Sequence, residues 1–139
     1  MSETVQGGRQ LDRQQKIGRF KGKIAPRDGW HEVGATGEPA FQNSWENYGT
    51  DYHGAAFIKD AAGVVHLRGL IRYGTISTTL PVFTLPTGFR PEKTMVFIVR
   101  SNASQGECRI EPDGDVLPYA GSNAWFSLEG ISFYLGDFK

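Results

Sequence analysis

The chain has 139 residues, of which 39% are hydrophobic and 12% aromatic, and it carries equal numbers of acidic and basic residues. A domain of this size can bury a core without disulfides or metals, and its 18 glycines and 7 prolines favour short strands and turns over long helices. The zero net charge gives no general attraction for nucleic acid, no apolar run is long enough for membrane insertion, and the polar start Met1–Thr4 does not fit a signal peptide.

The first 28 residues form a basic arm, with seven Lys or Arg against three Asp or Glu. Ile17, Phe20 and Ile24 have a weakly helical spacing, but Gly18 and Gly22 interrupt it, so helical and extended forms both stay open. Such a stretch is either a solvated extension or an electrostatic docking arm. Its candidate attachment residues are Arg9, Arg13, Lys16, Arg19, Lys21 and Lys23.

Residues 29–54 combine a loop-rich sequence with many aromatic side chains. These are Trp30, Phe41, Trp45, Tyr48 and Tyr52. Each can bury about 150–250 Å² of surface, so such a density is not expected to stay in water. We therefore expect most of them in the core or in a subunit interface.

Alternation of apolar and polar residues predicts a β-hairpin from Ala55 to Tyr73. Its strands are Ala55–Lys59 and Val64–Tyr73, with a turn at Asp60–Gly63. The second strand places these residues on one face: Val65, Leu67, Gly69, Ile71 and Tyr73. A sheet with one side on a core has this pattern.

Six further strands are predicted along the remainder of the chain. They are Leu80–Leu85, Thr94–Arg100, Cys108–Glu111, Val116–Leu117, Trp125–Leu128 and Ile131–Leu135. Pro81 favours an edge position, Asp113-Gly114 marks a tight turn, and Ser101–Glu107 reads as a polar loop. Cys108 is the single cysteine, so it forms no intrachain disulfide, and a free cysteine in a strand is most often buried.

About eight short strands separated by turns, without a long helix, predict an all-β fold. We expect a β-sandwich or jelly-roll-like head over residues 29–139, preceded by an extended N-terminal arm over residues 1–28.

An ordered set of short motifs runs through about two-thirds of the chain. It comprises Ala40–Trp45 with Tyr48–Gly49, Ala55–Asp60 with Gly63, Val65–Ile71 with Gly74–Thr75, Phe83–Pro91, and Ser122–Phe133. Through these motifs the segment from Phe41 to Tyr134 resembles the C-terminal head domains of phage tail-fibre and receptor-binding proteins, particularly those of phages of Gram-positive bacteria.

The resemblance implies a virion structural protein, made in the host cytoplasm and carried on the phage particle as a homotrimer. It implies a head that binds a host cell-surface saccharide without a cofactor or catalysis, with the arm of residues 1–28 contacting other virion proteins. A head that follows only a short arm could equally decorate or cement a capsid, as a head-fibre protein without a receptor. A cell-wall glycan hydrolase is a third alternative.

The candidate receptor-binding residues are polar and aromatic side chains in predicted loops at one end of the sandwich. They are Asn102, Gln105, Tyr119, Asn123 and Trp125. A flat ring beside amides and hydroxyls suits a saccharide, which offers apolar C–H patches and fixed hydroxyls. Packing in the core or between protomers is the alternative for Tyr119 and Trp125.

Two acidic clusters and the histidines are candidate chemical sites. Glu46 and Asp51 have the residue type of a glycosidase pair, but neighbouring polar residues in a glycine-containing loop are typical of turns. Glu111–Asp115 matches only part of a Ca²⁺ loop, and the three histidines lack metal-ligand spacing. We therefore predict no catalytic residue and no metal site.

Overall fold

The computed structural model describes residues 29–135, which contain eleven β-strands and no helix. The strands are β1 (His31–Glu32), β2 (Glu46–Asn47), β3 (Ala56–Lys59), β4 (Val64–Arg68), β5 (Leu70–Arg72), β6 (Phe83–Thr84), β7 (Met95–Ser101), β8 (Ser104–Ile110), β9 (Asp115–Ala120), β10 (Phe126–Ser127) and β11 (Ser132–Tyr134). The predicted all-β class is confirmed. The predicted arm, with its six attachment residues, lies outside the described residues.

Two four-stranded antiparallel sheets, in the orders β1-β3-β4-β11 and β6-β9-β8-β7, provide the main framework. Aromatic side chains join their inner faces: the ring centroids of Phe57 and Phe83 lie 5.9 Å apart, and those of Phe97 and Phe133 lie 6.4 Å apart. The sheets therefore pack as a β-sandwich, as the alternation of apolar residues predicts.

A third antiparallel sheet, β10-β5-β2, continues the first one beyond a break at Gly69. The predicted single strand Val64–Tyr73 is thus wrong, because it is divided into β4 and β5. Gly69 has a φ of +123°, which interrupts the regular pleat, and the buried face ends at Ile71. Tyr73 was expected on that buried face, yet it has a φ of +72° and a side chain 59% exposed.

The long hairpin of β7 and β8 replaces the polar loop predicted at Ser101–Glu107, and this prediction is wrong. Ser101 pairs with Ser104, so the chain reverses within Asn102 and Ala103. Their φ values of 49° and 68° give a turn with the twist that tight hairpins need. The sequence carries no glycine there, which is why polar composition suggested a longer loop.

Two other predicted features are confirmed. β8 and β9 form a hairpin around Asp113-Gly114, and β6 lies at a sheet edge, as Pro81 favours.

At the turn between β3 and β4, the Asp60 carboxylate accepts hydrogen bonds from the N–H groups of Ala62 and Val64. His66, 2.8 Å away, is the main cause that lowers the pKa of Asp60, and the two N–H groups act in the same direction.

Cys108 is fully buried, as predicted, within the core between the two large sheets. Burial raises the pKa of its thiol to about 12, with a smaller contribution from the neighbouring Glu107 carboxylate. The thiolate is the reactive form, so Cys108 is protonated and inert near neutral pH.

Candidate functional site

A cleft of about 700 Å³ lies where the third sheet meets the end of β7. It is lined by Tyr48, Thr50, Asp51, Tyr52, His53, Leu70, Arg100, Trp125, Ser127 and Glu129. We call this set the cleft. Its volume falls within the range of small-molecule sites, roughly 300–1,000 Å³.

One wall of the cleft is the loop that connects β2 to β3. Both ends of this loop are held by Leu70 of β5: the Tyr48 N–H donates to the Leu70 carbonyl at 2.9 Å, and the Leu70 N–H donates to the His53 carbonyl at 3.0 Å. The Asn47 side-chain oxygen accepts from the Ala55 N–H at 2.8 Å and closes the loop. The loop therefore presents its side chains from a fixed base.

Two tyrosines give this wall an aromatic surface. The rings of Tyr48 and Tyr52 are tilted at 57° with centroids 5.5 Å apart, and Tyr52 is 57% exposed. The Arg72 guanidinium lies 5.2 Å from the Tyr48 centroid and is held there by an ion pair to Glu46 at 3.0 Å. We expect most of the five aromatic side chains of residues 29–54 in the core or in a subunit interface. Of these five, Trp45 is the one that is buried within this chain, at 3% exposed.

The opposite wall begins with Trp125, which precedes β10. The buried Ser101 hydroxyl lies 3.0 Å from the carbonyl oxygens of Ser122 and Trp125 and accepts from the Ser122 N–H at 2.8 Å. The Asn123 side-chain amide donates to the Gly74 carbonyl at 2.9 Å, and the backbone carbonyl of Asn123 accepts from the Tyr73 N–H. These bonds fix the backbone that carries the Trp125 ring.

Three charged groups complete the cleft. The Glu129 carboxylate accepts from the Gly69 N–H at 3.1 Å, while its second oxygen remains available. Asp51 and Arg100 form no ion pair or side-chain hydrogen bond within residues 29–135. The cleft thus combines aromatic faces with acceptors and one permanent cation, groups that complement the C–H patches and hydroxyls of a sugar.

Of the five predicted receptor-binding residues, only Trp125 lines the cleft. Asn102 lies in the β7–β8 turn directly after Ser101, whose hydroxyl is 3.0 Å from the Trp125 carbonyl oxygen, and Asn123 holds the Trp125 segment in place. Gln105 belongs to β8 opposite Arg100, so it does not lie in a loop. Tyr119 belongs to β9, where its ring centroid lies 3.8 Å from the Arg109 guanidinium.

The fold separates the glycosidase pair and the histidines, but it brings three carboxylates together. Glu46 pairs with Arg72 whereas Asp51 faces the cleft, so they do not act as a pair. His31 and His66 contact Glu38 and Asp60, respectively. The carboxylates of Glu111, Asp113 and Asp115 approach within 4.8 Å of one another. However, the Asp113 carboxylate accepts from the Asp115 N–H in the hairpin turn, and the Asp115 carboxylate accepts from the Thr84 hydroxyl of β6 at 2.8 Å.

Nine lining residues were not among the predicted receptor-binding residues: Tyr48, Thr50, Asp51, Tyr52, His53, Leu70, Arg100, Ser127 and Glu129. The available signal was the density of aromatic and polar residues in Tyr48–His53, because tyrosine combines an apolar ring with a hydrogen-bonding hydroxyl.

No protein-family model, curated protein or solved structure matches this chain. Residues 29–135 also contain no helix with the length and apolar character of a membrane span.

Proposed function

We propose that this protein is a phage virion component whose sandwich head binds a saccharide of the host cell surface through the cleft. The observation that carries the proposal is the joint presence of Tyr48, Tyr52 and Trp125 with unpaired polar groups around one cavity of about 700 Å³. Aromatic faces stack on sugar rings, and carboxylates accept from sugar hydroxyls. The phage setting rests on the resemblance of the segment 41–134 to phage head domains.

Removing an aromatic wall of the cleft tests this proposal. We expect Trp125→Ala and Tyr52→Ala each to weaken binding to cell-wall polysaccharides of Gram-positive bacteria about tenfold or more, the loss typical of an aromatic anchor. Binding of the full chain to immobilised polysaccharide would be measured by surface plasmon resonance. Tyr73→Ala is the matched control, because Tyr73 is as exposed as Tyr52 but lies outside the cleft. Equal losses in all three variants would contradict the proposal.

Hydrolysis of the bound glycan is a second candidate, favoured by one observation: Asp51 and Glu129 both line the cleft. Two carboxylates across a glycosidic bond are the usual machinery of glycosidases. Incubation of the protein with the same polysaccharides distinguishes binding from hydrolysis. New reducing ends that disappear in Asp51→Asn would establish hydrolysis, and their absence leaves binding alone.

We also propose that the head forms a homotrimer, and the outer face of β7 supports association. Val96 and Ile98 are 58% and 76% exposed there, and within residues 29–135 β7 is an edge strand paired only with β8. Exposed apolar edge strands are ordinarily covered by a partner. Light scattering of the full chain should give about three times the 15.4 kDa chain mass. A single-chain mass would refute the trimer and leave cleft binding untouched.

A further inference from the structure

Arg100 differs from the other arginines within residues 29–135 in having no protein partner. Arg68, Arg72 and Arg109 form ion pairs with Glu32, Glu46 and Glu107. Arg90 donates to the Leu85 carbonyl at 2.8 Å. Arg100 has neither kind of contact in this part of the chain, and it is the one arginine there that lines the cleft.

The backbone holds Arg100 firmly at that position. It lies in the last part of β7, pairs with Gln105 of β8, and is followed by the buried Ser101, which is bonded to the Trp125 segment. Strand pairing and the adjacent buried hydroxyl fix the Cα of Arg100 relative to Trp125. Rigid elements therefore fix the base of the exposed Arg100 side chain at the lining of the cleft, which is the support expected of a binding group.

The cleft carries two acids besides this cation. Asp51 and Glu129 form no ion pair with Arg100, and one Glu129 oxygen is used by the Gly69 N–H. Guanidinium groups bind carboxylates and phosphates in bidentate fashion, whereas carboxylates accept from neutral hydroxyls. The cleft thus combines a guanidinium that can bind an anionic group with two carboxylates that can accept from hydroxyls.

We propose that the cleft takes an anionic glycan, whose carboxylate or phosphate binds Arg100 and whose hydroxyls bind Asp51 and Glu129. This inference rests on the proposed saccharide-binding function and narrows its ligand class. A neutral glycan would form no charge-assisted hydrogen bond with the exposed Arg100 guanidinium, and a polyanion with closely spaced charges would be repelled by the two acids.

The test is an array of bacterial cell-surface glycans containing neutral, uronic-acid-bearing and phosphodiester-bearing members. Wild-type protein should bind anionic members, and the uronic and phosphodiester arms identify which anion is recognised. Arg100→Gln should weaken that binding about tenfold to a hundredfold, as expected for loss of a charge-assisted hydrogen bond. Arg100→Lys, which keeps the charge but loses the bidentate geometry, should lie between.

Arg109→Gln is the matched control, since Arg109 contacts Glu107 and Tyr119 away from the cleft. Circular dichroism would verify that each variant is folded. Binding of wild-type protein to neutral members only, or equal losses in Arg100→Gln and Arg109→Gln, would overturn the anionic assignment and leave saccharide binding standing. Absence of binding to every glycan would refute the proposed function together with it.

Discussion

Replacing Gly69 with alanine is expected to lower the free energy of unfolding by roughly 2–6 kcal/mol, from overpacking and positive-φ strain of about 1–3 kcal/mol each. Gly69 has a φ of +123°, and an added Cβ would lie 2.5 Å from the backbone N and Cα of Ala55. These backbone atoms of Ala55 cannot move away from the new Cβ as the end of a flexible side chain could. Gly69 also accepts from the Leu128 N–H at 2.7 Å and donates to Glu129, so its displacement would disturb the cleft.

Gly88→Ala separates the two causes of this loss. Gly88 has a φ of +99°, but an added Cβ would meet nothing within 4 Å, so only backbone strain should remain. Urea unfolding followed by circular dichroism would give both free energies. We expect the Gly69 variant to lose at least 1 kcal/mol more, the lower bound of an overpacking cost. Equal losses would show that the contact with Ala55 relaxes freely.

Gly69 also illustrates how far the sequence predicts the fold. Alternation correctly placed Val65, Leu67 and Ile71 on a buried face, because a period of two is a property of the strand itself. A prediction from alternation assumes, however, that the strand is not interrupted. Gly69 occupies an inward-facing position of the pattern, and it fits there whether the strand continues or bends. The bend depends on the close approach of the segment around Ala55, which only tertiary packing determines.

The cleft was less predictable because it is assembled from distant segments. The loop after β2, Leu70 of β5, Arg100 of β7 and the residues around β10 meet only after three sheets have formed. Trp125 was found because aromatic and amide residues cluster locally in its segment. Arg100 could not be found in this way, since its distinguishing property is the lack of an acidic partner in space.

Gly74→Ala is expected to destabilise the protein by about 1–3 kcal/mol through displacement of Trp45. An added Cβ would lie 2.1 Å from the Trp45 ring, whose side chain is only 3% exposed. Gly74 needs no positive φ, so the effect comes from packing alone. The Trp45 ring centroid lies 6.0 Å from that of Phe126, the residue after Trp125. Movement of Trp45 should therefore weaken saccharide binding as well.

Gly49→Ala is the control for Gly74→Ala, because its added Cβ would meet nothing within 4 Å and its φ is also not positive. A double-mutant cycle with Trp45→Leu identifies the contact directly. If the clash with the ring causes the loss, Trp45→Leu should cost less in the Gly74→Ala protein than in the wild type, with a coupling of about 1–3 kcal/mol. Additive losses would mean that Gly74 acts through its backbone, which accepts from the Asn123 amide. Coupled losses would show that the Trp45 ring fills the space in which the added methyl group would lie, so that Gly74 is needed for the ring to pack beside the segment that carries Trp125.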